Sequence, residues 1–182
     1  SFARSLEFLA RHLKLPPPLL IVISFAVVIL VGTVFLMSPR ATPPDQPINL
    51  LDALFTATSA TCVTGLAVRD TGTGFTPFGH AVILVLAQIG GLGLMTFASF
   101  FSLYLGQGLG IKQGLVLRDA LNLESLHKAR PLLIFMLKAT FAIELAGAVA
   151  IYVLLTPYWK PELTVLEKAW ASLFHSISAF CN

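Results

Sequence analysis

Between two charge-free runs long enough to cross a bilayer lies an apolar stretch too short to do so, Leu50 to Ala60, followed at once by Thr61-Cys62-Val63-Thr64-Gly65. The first run, Leu19 to Met37, has 19 residues, makes about 28 Å of helix, and is closed by Ser38-Pro39. The second, Phe78 to Leu105, starts just after Pro77 and makes about 42 Å if helical throughout. That exceeds a hydrocarbon core of roughly 30 Å, so it is expected to tilt or to project into the cytosol. Irregular backbone is tolerated at membrane depth only where it is buried in protein or lines a cavity. A span, a half-length helix, a glycine-bearing loop and a second span together describe a chain that aims main-chain carbonyls at a cation inside the bilayer.

Composition agrees with an integral membrane protein, since 56% of residues are hydrophobic, 12% are charged and the mean hydropathy is +0.83. A net charge of +3 without a basic stripe gives no nucleic-acid surface. Cys62 and Cys181 have neither zinc-ligand nor CxxC spacing and are expected as small buried residues. No cleavable signal peptide is expected, because the first apolar run begins only after Pro16-Pro17-Pro18 and is long enough to span.

Pro131 to Thr156 forms a third span, interrupted by Lys138 and Glu144, and a second short helix is expected over 165–177. Its start is marked by Thr164-Val165-Leu166-Glu167, a capping-box pattern. The segments 1–18 and 106–130 must lie on one side. They carry Arg4, Arg11, Lys14, Lys112, Arg118, Lys128 and Arg130, against Arg40, Arg69, Lys160 and Lys168 opposite. That excess places the N-terminus in the cytosol, and both short helices then enter from outside.

The two short helices are related in sequence. Phe55 to Cys62 and Phe174 to Cys181, offset by 119 residues, share Phe, Ser, Ala and Cys at equivalent places, and each follows a span and an outer loop. A duplicated unit accounts for both the matches and the position. The expected organisation is a cytosolic segment 1–18, then a first unit 19–105 with spans 19–37 and 78–105, short helix 50–60 and loop 61–65. A cytosolic connector 106–130 leads to a partial second unit 131–182, with span 131–156, short helix 165–177 and the start of a second loop at 178–182. The fold class is all-α integral membrane, built on a membrane helix, half-helix, loop, membrane helix repeat. The sequence stops at Asn182, two residues before the counterpart of Gly65, and further units are expected beyond it.

Individual residues carry paired readings. The Leu50–Ala60 helix would point its partially negative C-terminal end at the loop, favouring a cation there. Asp52 serves either the helix start or the attraction of ions at an outer mouth. Asp70 is the better candidate for concentrating cations, although Arg69 beside it would cancel part of that field. Gly90, Gly91 and Gly93 mark close approach of another backbone, read as the Leu50–Ala60 helix, or a hinge. Gln88 is expected to bond to a neighbouring backbone, Lys138 to snorkel, and Glu144 to need a proton, a partner or water. His80 and His175 lack a companion at metal-ligand spacing and are expected to be structural.

The stretch Leu50 to Leu66, then Asp70-Thr71-Gly72, Gln88 to Thr96, Ala120 to Leu123 and Phe174 to Asn182, resembles the membrane subunit of bacterial Trk/Ktr potassium uptake systems, whose pore design is shared by related plant transporters. The resemblance implies four membrane–pore–membrane units with pseudo-fourfold symmetry in the cell membrane. It also implies a homodimer resting on a cytosolic ring of nucleotide-binding regulatory subunits. Carried onto this sequence, it makes the carbonyls of Thr61, Cys62, Val63, Thr64 and Gly65 the ligands of dehydrated potassium, with Phe180, Cys181 and Asn182 the visible part of the second strand. Gly65 carries most weight, because glycine brings a carbonyl to a pore axis without a Cβ clash. No enzyme chemistry and no cofactor are implied; potassium is the substrate and sodium a second candidate. The alternatives are another broken-helix secondary transporter, whose helix N-termini would face an anionic substrate, and a non-conducting membrane fragment.

Overall fold

The computed structural model describes residues 17–93 and 129–181, and among them all regular structure is helical. The N-terminal segment, the remainder of the second run from residue 94, nearly all of the connector, and Asn182 lie outside the described residues.

Helix α1 (Pro17–Leu36) opens on prolines, which suit a first helical turn. It ends where Pro39 cannot continue it, with the Met37 N–H on the Thr33 carbonyl at 2.9 Å. Val22, Leu30 and Val34 are exposed, while Leu36 is buried. Helix α2 (Leu50–Thr61) is capped by Asn49, whose side chain accepts the Asp52 N–H at 2.7 Å. Its twelve residues make about 18 Å, well short of a bilayer core. Thr56, Thr58 and Thr61 each donate their hydroxyl to the carbonyl four residues back at 2.7 Å, so these polar groups are satisfied within the helix.

Helix α3 (Pro77–Gly91) starts on a Thr76 cap that also bonds the Arg40 carbonyl, tying the segment after α1 to the segment before α3. The single helix expected over 78–105 is corrected here. The helix stops at Gly91, the Leu92 and Gly93 N–H groups bond back to Gln88 and Gly90 at 3.0 Å, and Gly93 turns the chain with φ 74°. Absence of charge made the run apolar; a glycine able to take the left-handed region ended its helix.

Helix α4 (Ala129–Leu155) runs into a 3₁₀ turn at Thr156–Tyr158. The segment Leu133–Tyr158, with mean hydropathy 1.9, is long and apolar enough to cross a membrane. Helix α5 (Val165–Cys181) begins with the capping box formed as spelled: the Thr164 N–H donates to Glu167 at 2.8 Å and the Glu167 N–H to Thr164 Oγ1 at 3.3 Å. The Thr164 N–H first, and then the Thr164 hydroxyl donating to the same carboxylate oxygen at 2.8 Å, hold the Glu167 carboxyl below its ordinary range. The end expected at 177 is corrected: α5 continues through Cys181, because Ser178, Ala179 and Phe180 offer no glycine or proline to stop a helix.

Helix α2 packs between α1 and α3, and α5 packs against α4 and α3, so α3 touches both short helices. The core is made of Leu36, Ala53, Ala57, Phe75, Ile83 and Leu86. Small residues dominate α2 because helices in lipid associate through close packing rather than through water exclusion. At Gly32 a Cβ would fall 2.6 Å from Leu86 Cδ1, so Leu86 of α3 fills the space that a side chain on α1 would need.

Candidate functional site

The backbone leaves α2 in an unusual way. Cys62 caps the helix with φ −90° and ψ 5°, its N–H on the Thr58 carbonyl at 2.8 Å. Val63 then takes φ 57° and Gly65 φ 69°, while Thr64 between them does not enter that region. A left-handed β-branched residue is a genuine outlier and costs about 1–3 kcal/mol, so the surroundings must impose it.

Ser59, 5% exposed in the last turn of α2, does much of the imposing. Its carbonyl accepts the Thr64 N–H at 3.1 Å, its hydroxyl accepts the Thr64 hydroxyl at 3.0 Å, and that same hydroxyl donates to the Leu66 carbonyl at 2.7 Å. One serine thus folds the loop back onto the helix and engages the Leu66 carbonyl. Sequence reasoning missed Ser59 as a functional residue, although its match to Ser178 in the repeat was the available signal. Thr61 is buried at the end of α2, whereas residues 62–68 are exposed. The terminal carbonyls of α2 put partial negative charge at this loop.

Both cysteines are free; Cys181 is buried as expected, but Cys62 is exposed, a correction that follows from its place on the open face of the loop. Phe180 and Cys181 lie in the last turn of α5 instead of in a loop, and Asn182 lies outside the described residues.

Asp70 organises the turn after the loop. Its carboxylate accepts the Thr73 hydroxyl, the Thr73 N–H at 3.1 Å and the Gly72 N–H at 3.4 Å, and the Thr73 hydroxyl foremost holds the carboxyl below its ordinary range. Because the folded value is lowered, whatever this turn adds to stability is present at neutral pH and is lost as pH falls through that value. Arg69 is turned to the Gln46 and Pro47 carbonyls at 2.8 and 3.2 Å, strapping the segment after the loop to the segment before α2. His80 Nε2 meets the Thr71 carbonyl at 2.6 Å, and its ring lies 4.9 Å from that of Phe174 on α5.

The three glycines divide the work. Gly90 lies against the Thr61 main chain, where a Cβ would stand 2.9 Å from the carbonyl carbon. Gly91 lies against Cys181, where a Cβ would stand 2.9 Å from Sγ. Gly93 turns the chain. The expectation that Gly91 faces the Leu50–Ala60 helix is therefore corrected, because one residue along a helix rotates the contact by about 100° and aims it at the other short helix.

Residues 3–182 match the family model described as TrkH, cation transport protein. The chain is 43% identical over 174 residues to the Ktr system potassium uptake protein B of Bacillus subtilis, covering 94% of this chain and 37% of that protein. It is 37% identical over 169 residues to the potassium/sodium uptake protein NtpJ of Enterococcus hirae, covering 93% and 37%. With the Ktr system potassium uptake protein B of Vibrio alginolyticus the identity is 39% over 165 residues, covering 91% and 35%. The chain spans little more than a third of the length of these relatives.

Proposed function

The chain belongs to the TrkH family of cation transport proteins, and from that membership we propose that it forms the first part of the pore of a potassium uptake system in the cell membrane. Residues 61–65 would supply one strand of a carbonyl-lined filter, α2 its pore helix, and α1 and α3 the flanking membrane helices of the first unit. Helices α4 and α5 would belong to a second unit, as the Phe, Ser, Ala and Cys shared by residues 55–62 and 174–181 support. The observation that carries this proposal is the pair of left-handed residues, Val63 and Gly65, on either side of Thr64 immediately after a helix too short to span. Alternating handedness swings successive peptide planes so that their carbonyls gather on one side, instead of alternating as in a strand, and gathered carbonyls can replace a hydration shell. It is the C-terminal end of α2 that meets the loop, which favours a cation over the anionic substrate of other broken-helix transporters. Potassium is the proposed substrate, and the name of the Enterococcus relative keeps sodium as a second one.

Expression of the full-length protein in a host lacking potassium uptake tests this directly. Growth on limiting potassium is expected, and failure to grow with the protein inserted would contradict it. Ser59→Ala should lower the apparent affinity for potassium about tenfold at normal membrane levels, since the Leu66 carbonyl and the Thr64 hydroxyl each lose a partner worth about 1 kcal/mol. Potassium dependence of uptake is the check, and an unchanged value would remove Ser59 from control of the loop.

Partners are proposed on the same footing: a second copy of the subunit, and cytosolic nucleotide-binding regulatory subunits docked on the connector. Lys112, Arg118, Lys128 and Arg130 surround an apolar pattern of Leu115, Leu117, Leu121 and Leu123 there. Reversing charge at Arg118 and Lys128 should reduce co-purification of a cytosolic partner severalfold while insertion persists. Full retention of the partner would place its contact elsewhere.

A further inference from the structure

We propose that Glu144 is a positioning residue that fixes the start of the second ion-coordinating strand, acting through Cys181 and Gln88. The inference rests on the pore-helix reading of α5 given above. Glu144 lies on α4 and is 2% exposed. Its Oε1 accepts from Gln88 Nε2 on α3 at 2.9 Å and from the Cys181 thiol on α5 at 3.5 Å, and the same thiol lies 3.6 Å from Gln88 Oε1. The Glu144 main-chain carbonyl accepts the Ser176 hydroxyl at 2.6 Å. One residue of α4 therefore holds the last two turns of α5 at two points and joins them to α3.

Packing alone would be served by leucine or alanine. A carboxyl differs in accepting from donors on two other helices at once, and it carries a heavy desolvation cost in lipid that those donors offset in part. The neighbouring glycines fit the same purpose. Gly91 of α3 leaves room for Cys181 Sγ, and at Gly147 of α4, three residues beyond Glu144, a Cβ would press on the Ser176 hydroxyl. Residues 88–91 of α3 thus touch the ends of both short helices: Gly90 the Thr61 carbonyl, Gly91 and Gln88 the Cys181 side chain. Cys181 is the counterpart of Cys62, the residue from which the first loop departs. Fixing Cys181 against α3 fixes where the second strand begins relative to the first.

The test uses the full-length protein and measures uptake of potassium against competing sodium, normalised to inserted protein, for wild type, Glu144→Ala, Glu144→Gln and Gln88→Leu. Glu144→Ala and Gln88→Leu are each expected to lower the preference for potassium about tenfold, and the double variant should be no worse than either alone. Glu144→Gln keeps the acceptor oxygen and the size, and is expected to stay within about threefold of wild type. If Glu144→Ala does not accumulate, Gln88→Leu carries the same comparison by itself. An unchanged preference in the accumulating variants overturns the inference, as does a Glu144→Gln loss as large as that of alanine, which would make charge the active property. A wild type without potassium preference would instead overturn the functional reading, whereas a selective wild type beside equally selective variants overturns this inference alone.

Discussion

Replacing Gly65 with serine in the full-length protein is expected to reduce the preference for potassium over sodium by about tenfold or more. Gly65 sits at φ 69°, where an L-residue pays about 1–2 kcal/mol. The loop can relieve that cost only by rotating the peptides on either side, which are the ones that would carry the coordinating carbonyls. Rotation lengthens some oxygen-to-ion distances and shortens others, and about 1.4 kcal/mol of difference between two ions is a factor of ten. The serine hydroxyl adds an oxygen that can reach the smaller ion. Competition between potassium and sodium during uptake reads this directly. An unchanged ratio with normal amounts of inserted protein would move the selective element out of residues 61–65.

Gly90→Ala is expected to lower uptake per inserted protein at least about tenfold, although it adds only one methyl group. That methyl would stand 2.9 Å from the Thr61 carbonyl carbon and closer still to its oxygen. Both sides of the contact are main chain, so no flexible side chain can yield, and α2 and α3 must separate at a cost of about 1–3 kcal/mol. Separation carries Thr61 with it, and a filter tolerates displacements of only about 0.5 Å. Insertion should be unaffected, since alanine is at least as apolar as glycine. Substitution at Gly91 presses instead on the Cys181 side chain, so its effect should enter through the second strand. Near-normal uptake by Gly90→Ala would show that α3 does not bear on the first loop.

How much of this was legible in the sequence depended on whether the determinant was local. The short helix from Leu50 was legible because an apolar stretch between two long charge-free runs has few other things to be, and the capping box at Thr164 because it is spelled in four residues. The length of α3 was not, since freedom from charge sets solubility in lipid and says nothing of helical continuity; Gly93 supplied the stop. The continuation of α5 past 177 was missed for the opposite reason, as nothing between Ser178 and Cys181 separates helix from loop. A pair of glycines announced a close approach but not the neighbour, which depends on a rotation of one residue. The clamp at Ser59 and the contact between Gln88 and Glu144 were illegible as contacts, because the latter joins residues 56 apart and neither leaves a periodic trace.

The central claim is that the main chain after α2 holds a potassium ion. Crystals of the full-length protein soaked in rubidium, a potassium substitute with a strong anomalous signal, test it without reliance on transport rates. A difference peak is expected within roughly 3 Å of main-chain carbonyl oxygens in the segment Thr61–Gly65. Rubidium bound elsewhere in a protein that still takes up potassium, with no peak beside these carbonyls, would contradict it.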